Sequence, residues 1–438
     1  MNEDEHAHRI VIVGGGAGGL ELATRLGNSL GRRGKAEITL VDAARTHIWK
    51  PLLHQLAAGS FDTHAEEIEY LAQARWNHFR FRLGRLESID RQARLIHLSP
   101  SYDAHGAEIT PPQQIPYDTL VIAIGSQTND FGTRGAAQNA IKLDNPESAR
   151  RFNDRLINAC LRAQTVPVGA GQGRLTVTIV GAGATGVELA AELHATAKVL
   201  TSYGLEHVSP ESELKIVLVE AAPRILAQLP ERLSEAASRE LRALGIEIHS
   251  NERVVEVTAD AVHMQSGKVI PSTLTVWAAG IKAPDFLKEF GGLEVNRLNQ
   301  LLVGPTLQTT LDPAIFAMGD CASCPQGDST VPPRAQAAHQ QANYLTRTIM
   351  RIIAGKTVKP FKFQDYGSLV SLASYSSVGS LMGSLSRGSL FVEGQVAKFM
   401  YWSLHKKHQL ALSGVARTVL ITASEWLDRV HRPRIKLH

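Results

Sequence analysis

Two stretches of the chain run through one succession of apolar and polar positions. Residues 9–13 are apolar and β-branched, and a glycine cluster follows at 14–19 (G-G-G-A-G-G). Helical periodicity then covers 20–30, and a second apolar run at 37–41 stops at Asp42. The order returns with an apolar run at 175–180, G-A-G-A-T-G at 181–186, a helical pattern at 187–200 and a run at 214–219 that stops at Glu220. Short continuous apolar runs broken by glycine predict strands buried on both faces, and alternation with helices predicts a parallel sheet. Residues 117–125 (Y-D-T-L-V-I-A-I-G) predict a further buried strand ending on glycine, and T-V-W-A-A-G at 275–280 closes the second pattern in the same way. Residues 79–97 alternate as hairpin strands do, 145–161 read as a helix, and a glycine-rich joint lies at 169–173.

A third stretch has its own logic. Residues 315–318 form a short apolar strand that breaks at Gly319-Asp320; a polar loop leads to Pro332-Pro333 and a helical run from Arg334 to about Ile353. Proline suits a first helical turn, where its missing N–H has no partner to lose. The free amides and positive end of that helix can face a group that becomes anionic on reduction. Gln336 and Gln340 are four apart and share a helix face, with Ala335, Ala337 and Ala338 leaving room for a flat group. An exposed polar face is the alternative reading.

The glycines and acids define the chemistry. Gly14 makes the tight turn, Gly16 lets a pyrophosphate approach the backbone, Gly19 lets the helix pack on the strand, and Asp42 accepts from a ribose hydroxyl. Gly181, Gly183, Gly186 and Glu220 repeat those roles. Glu220 repels a 2′-phosphate and favours NADH over NADPH, a preference that Arg224 is close enough to blunt. Two complete units in one chain point to two dinucleotides.

At 438 residues, with 44% apolar and 20% charged residues, the chain is long enough for two or three domains with large cores. The net charge of +4 is local: residues 398–438 carry eight Lys and Arg against two acids, which argues for a partner at the tail and against general nucleic-acid binding. That tail mixes aromatic, aliphatic and basic positions, and no apolar run reaches the ~18–20 residues of a span. It reads as a helix lying in a membrane interface near anionic headgroups, with a dimer-contact helix as the alternative. The acidic, His-containing start at residues 1–9 has no apolar leader, so no signal peptide is expected. Three cysteines argue against a disulfide framework, and Cys321 and Cys324 lack the second pair a closed metal site needs, so no metal is expected.

The glycine loops at 14–19 and 181–186, W-K-P-L-L-H at 49–54, V-W-A-A-G-I-K-A-P at 276–284, G-D at 319–320 and A-Q-A-A-H-Q at 335–340 together resemble a type II NADH:quinone oxidoreductase. The likeness covers nearly the whole chain. It implies an α/β fold of two Rossmann-like dinucleotide-binding domains, the second inserted in the first: FAD on 1–140 and 285–359, NADH on 141–284, and a membrane-associating, quinone-access segment on 360–438. Carried over by position, FAD falls to Gly14, Gly16, Gly19, Asp42, Lys50, Gly125, Gly319, Asp320 and Ala337. NADH falls to Gly181, Gly183, Gly186, Glu220 and Gly280, with Glu188 near the nicotinamide. Gln336, His339 and Gln340 match the quinone element, and Tyr375 stands in a segment where some relatives place a basic residue. The implied reaction is oxidation of NADH through FAD with two-electron reduction of a membrane quinone and no proton pumping, at the cytoplasmic face of the inner membrane, with a homodimer through the tail left open. Glu188, Gln336 and Gln340 are the catalytic candidates, Glu188 as a proton relay or as a solvated acid in a first helical turn. The rivals are a sulfide:quinone oxidoreductase type, which needs active cysteines, and a nucleotide-sensing membrane-bound module without turnover.

Overall fold

The computed structural model describes residues 7–61, 67–103, 105–165, 175–205, 214–373, 375–381 and 390–431. The extreme acidic start, the glycine-rich joint at 169–173, residues 206–212 and the tail beyond 431 lie outside them. The chain divides into two compact units, one of residues 1–49, 67–127 and 281–364, the other of 50–66, 128–280 and 365–438.

The chain opens with β1 (His8–Val13), α1 (Ala17–Ser29) and β2 (Ala36–Asp42). Next come α2 (Leu53–Ala58), α3 (Tyr70–Trp76), β3 (Arg80–Leu83) and β4 (Thr119–Ile122). The second nucleotide fold follows: β5 (Ala140–Lys142), α4 (Pro146–Thr165), β6 (Leu175–Val180), α5 (Ala184–Ser202) and β7 (Leu214–Val219). It continues through α6 (Glu231–Ala243), β8 (Glu247–His249) and β9 (Leu274–Trp277). The chain then returns with β10 (Ile315–Ala317) and α7 (Ala335–Ile353), and ends with β11 (Gly367–Leu372), β12 (Ser376–Leu381), β13 (Leu390–Glu393) and α8 (Gly394–His431).

The first unit is built on a parallel sheet of order β10–β4–β1–β2–β3. Val13 stands beside Val41 and Ile122, so the strands finish level and open a crevice at their carboxyl ends. The continuous apolar runs are explained by burial on both faces: Ile10, Ile12, Leu40, Leu120 and Ile122 are all inaccessible. The predicted hairpin at 79–97 is only partly one. Arg80–Leu83 is instead the edge of the parallel sheet, and the antiparallel pair is 85–90 with 95–99. An edge strand with one wet face alternates just as a hairpin strand does, so periodicity alone does not separate them.

The second unit repeats the arrangement with a parallel sheet of order β5–β9–β6–β7–β8. Its core includes Val180, Val217, Val219 and Trp277. Strands β11, β12 and β13 form an antiparallel sheet in the same unit, and α8 follows. α8 is broken at Gly414, whose φ of 74° and ψ of 173° no L side chain adopts comfortably. Before the break Leu412 is buried; after it Val415, Val419, Leu420 and Leu427 are 60–69% exposed. Among the described residues no helix is long and apolar enough to cross a membrane.

Candidate functional site

In the first unit the glycine turn is held from both sides. Gly14 (φ 105°) donates to the Val41 carbonyl at 2.8 Å, and a Cβ on Gly19 would strike the Gly14 carbonyl. Gly16 faces open space, so the backbone there is free to meet a phosphate. Asp42 accepts the N–H of Gly15 at 2.6 Å and of Ala44 at 2.8 Å; burial nonetheless raises its pKa, against the pull of those donors. Sequence reasoning missed Tyr70, whose buried hydroxyl donates to the Gly15 carbonyl at 2.7 Å while its ring stacks on Phe81 at 5.0 Å. At the end of β10, Asp320 accepts the Ser126 hydroxyl at 2.7 Å and its carbonyl accepts Gln300 at 2.9 Å. Gly319 donates to Gln341 at 2.7 Å. Asp320, Ser126 and Gln300 line a cavity of about 120 Å³ together with Lys282 and Pro333. Gly125 (φ 73°) carries no neighbour where a side chain would stand. An open backbone at Gly16 and Gly125 with an acid closing β2 fits the flavin dinucleotide that the resemblance implies. Lys50 is exposed at the start of a single turn, Lys50–Leu52, in the second unit.

Helix α7 starts one residue later than expected. Pro332 and Pro333 precede an extended N-cap, Arg334 (φ −141°, ψ 151°), which makes no side-chain cap, and Ala337 is buried in the first turn. Gln336 and Gln340 do share a face: both donate to the Gln364 carbonyl, at 3.4 and 2.7 Å, and the Gln364 N–H returns a bond to Gln340 at 3.0 Å. His339 turns elsewhere, pairing at 2.5 Å with Glu21, a fully buried acid of α1 that Arg25 also holds at 2.7 Å. The alanine run has a packing cause as well, because a Cβ on Gly18 of α1 would stand 3.1 Å from the Ala338 methyl.

In the second unit Glu220 closes β7 as Asp42 closes β2, accepting the N–H of Ala182 at 2.7 Å and of Ala222 at 2.8 Å. Gly181 has φ 103°, a Cβ on Gly186 would strike the Gly181 carbonyl, and Gly183 faces open space. Arg224 donates to the carbonyls of Leu229 at 2.8 Å, Ala227 at 3.0 Å and Leu226 at 3.4 Å, so it is tied to backbone beside Glu220. Gly280 (φ 67°) lies against the Phe131 ring.

Glu188 sits in α5 and is 6% exposed. It accepts the Ser371 N–H of β11 at 3.0 Å and stands 3.5 Å from Nδ1 of His54 on α2, which is 2% exposed. One turn on, Glu192 accepts the Ser60 hydroxyl at 3.0 Å. Burial pushes the Glu188 carboxyl up to about 8, opposed by the Ser371 amide and reinforced by Glu192. Burial also lowers His54 to about 4. Both are therefore neutral at pH 7, and the contact is not an ion pair there. The Tyr401 hydroxyl of α8 is buried beside Glu188, close enough to lower the Glu188 pKa as a donor but outside normal hydrogen-bond geometry, and burial raises its own pKa well above the usual tyrosine range. Tyr375, in the turn after β11, is bonded through its hydroxyl to His194 at 2.8 Å, and the Lys198 ammonium lies 6.0 Å from its ring centre. His54, Glu192 and Tyr401 were all invisible as site residues, although Glu192 is four residues from Glu188 and so shares its face.

The cysteines are free and buried, and burial raises Cys160 and Cys321 to about 12 and Cys324 to about 11. Such thiols are poor nucleophiles, which weighs against the sulfide-oxidising rival.

Residues 8–342 match the pyridine nucleotide-disulphide oxidoreductase family. A type II NADH:quinone oxidoreductase of Haemophilus influenzae is 43% identical over 98% of this chain and 99% of its own length. A second protein of that name, from Mycobacterium tuberculosis, is 30% identical over 91% of this chain and 83% of its length. In fold, the chain is similar to NDH2 of Plasmodium falciparum, solved in complex with NADH, with a TM-score of 0.82 at 18% identity over 98% of this chain and all of that one. The sulfide:quinone oxidoreductase of Aquifex aeolicus gives 0.73 at 17% identity over 93% and 92%.

Proposed function

The chain belongs to the type II NADH:quinone oxidoreductases, and from that premise we propose how its own residues divide the work. It oxidises NADH and reduces quinone by two electrons without pumping protons. FAD, when bound, supplies the two-electron relay between those substrates. We assign FAD to the first unit. The Gly14–Gly19 turn and Asp42 receive the adenosine diphosphate, Gly125, Gly319 and Asp320 the arm that follows, and the positive end of α7, whose first turn holds Ala337 and has no side-chain cap, steadies negative charge on reduction. Lys50 is assigned to the same cofactor on the resemblance alone. In the second unit Gly181, Gly183, Gly186 and Gly280 receive NADH, and Glu220 selects it against NADPH because Arg224 is committed to carbonyls. Gln336 and Gln340 each give one amide hydrogen to the Gln364 carbonyl and have a second to offer the quinone carbonyl, with His339 and Tyr375 as supports that hold α7 and the β11 turn in place. Glu188 gives the quinone a proton.

The observation that carries this reading is the pair of glycine turns, each closed by an acid that grips its own backbone, in one chain. Purified protein is expected to be yellow, to bleach with NADH and to recolour with a short-chain benzoquinone. A preparation without flavin, or flavin that NADH leaves unchanged, overturns it. Glu188→Gln is expected to slow recolouring and remove its alkaline pH dependence.

The tail supports a peripheral membrane site. The exposed stripe Val415, Val419, Leu420 and Leu427, with the exposed Arg417 among them, is suited to an anionic lipid surface, where the quinone is dissolved. Since NADH is a cytoplasmic reductant, we place the enzyme on the cytoplasmic side of the inner membrane. Co-sedimentation with anionic vesicles, lost on Val419→Glu with Leu420→Glu, tests this. A homodimer through the same stripe would instead appear as a change in oligomeric state in the double variant.

A further inference from the structure

A buried hydroxyl without a partner is rare enough to need a reason. In the second unit the Tyr401 hydroxyl is one such group, and the Nε2 atom of His54 is another. Both stand around Glu188. Tyr401 comes from α8, faces Glu188 and also feels the charge of Glu192. Around the carboxyl stand His54 from α2, Glu192 from its own helix, Tyr401 from α8 and the Ser371 amide of β11. The Ser371 amide donates to one carboxyl oxygen whichever protonation state Glu188 is in. A carboxylate left in that place has lost its proton and is short of a donor, and the Tyr401 hydroxyl, beside it and without a bond of normal geometry, is placed to supply one.

We propose that Tyr401 is a positioning residue for the proton step, its hydroxyl held in reserve to donate to the Glu188 carboxylate once Glu188 has given its proton to the quinone. This rests on the reading of Glu188 as that donor. In the step, two electrons that originate in NADH reach the quinone; one O–H bond forms with the proton of Glu188, whose O–H bond breaks, and the second quinone oxygen takes its proton from solvent, giving the quinol. Tyr401 keeps its own proton, and water restores the one on Glu188. Because Tyr401 precedes Gly414 on α8, the helix that bears the exposed apolar stripe also supplies the donor for the acid.

The test compares wild type, Tyr401→Phe and Glu188→Gln as holoenzymes, reduced by NADH and reoxidised by a short-chain benzoquinone across pH 6–10. In Tyr401→Phe, bleaching by NADH is expected to be unchanged. The apparent pKa of reoxidation rises by about one unit, the worth of one hydrogen bond to a charged group, and the plateau rate falls about tenfold. The melting temperature does not fall, since the lost hydroxyl made no bond of normal geometry. If Glu188→Gln removes the ionisation while Tyr401→Phe matches wild type, the Tyr401 inference fails alone. If Glu188→Gln keeps the wild-type profile, the Glu188 reading fails and takes this one with it. A Tyr401→Phe protein that loses its flavin or several degrees of stability would show a hydroxyl tied structurally, and would overturn the proposal.

Discussion

Replacing Glu188 by Gln should make the protein more stable, and increasingly so as pH rises. The carboxyl is held at about 8 against an ordinary 4.5, so between those values the folded chain keeps a proton that the unfolded chain has released. A state that binds more protons loses stability with rising pH, at up to about 1.4 kcal/mol per pH unit for one group. Over a shift of about 3.5 units that sums to a ceiling of about 5 kcal/mol, fully developed at pH 8 and absent below about pH 4.5. Gln has no proton to lose and keeps an oxygen for the Ser371 amide, so the variant lacks the slope. At roughly 2–4 °C per kcal/mol, the gap in melting temperature between variant and wild type should widen by roughly 10 °C from pH 5 to pH 8. Differential scanning at several pH values, with both proteins flavin-loaded, reads it directly. Only the widening matters, because any fixed offset reflects packing. Parallel curves would refute the claim that Glu188 is buried and protonated.

His54 gives the opposite limb: its pKa is lowered to about 4, so the unfolded chain binds the extra proton and stability falls as pH drops below about 6.5. His54→Gln should flatten the acid side of the melting profile by about 3 kcal/mol between pH 6.5 and 4, and an unchanged acid limb would argue for a solvated ring. Tyr70→Phe strips the donor from the Gly15 carbonyl, and flavin titration of the apoprotein should show about tenfold weaker binding; equal affinities would count against Tyr70 as a support of the turn. Glu220→Gln should raise the KM for NADH about fivefold without producing an efficient NADPH enzyme, because Arg224 stays on its carbonyls; brisk NADPH turnover would mean that Arg224 had been released.

Legibility followed the range of the interaction. Each glycine turn and its acid lie within one strand–helix–strand unit, so Gly14, Gly19, Asp42 and Glu220 could be placed from spacing alone. The face shared by Gln336 and Gln340 was a matter of helical period, and both amides do meet the same residue, Gln364. The signal ran out where partners are distant in sequence. His54, Glu188, Ser371 and Tyr401 are drawn together by helix and strand packing, and a histidine in an apolar segment or a tyrosine in an apolar-basic tail has no local mark of that. His339 illustrates the same limit, since its position on α7 looked equivalent to that of its neighbours until α1 supplied Glu21. The edge strand Arg80–Leu83 and the extended Arg334 turned on sheet and cap context that period and proline preference do not contain.

The state of the His54–Glu188 contact decides which group can act. An imidazolium beside a carboxylate would need donors and acceptors for every charged atom in a dry interior. His54 is bonded to the Pro51 carbonyl, and its Nε2 has no partner among the described residues, so a second ring proton would be buried unsatisfied. The ring therefore stays neutral with its proton on Nδ1, and Nε2 is a bare lone pair. Burial, which lowers the histidine, raises the acid, and so the same apolar surroundings push the two apart and leave the proton on Glu188. Tyr401 is far too weak an acid to compete for the role. Of His54, Tyr401 and Glu188, Glu188 is the one that carries at pH 7 a proton acidic enough to give to an oxygen that has just received electrons. The stability it takes from the fold on the alkaline side is the thermodynamic counterpart of keeping that proton in place.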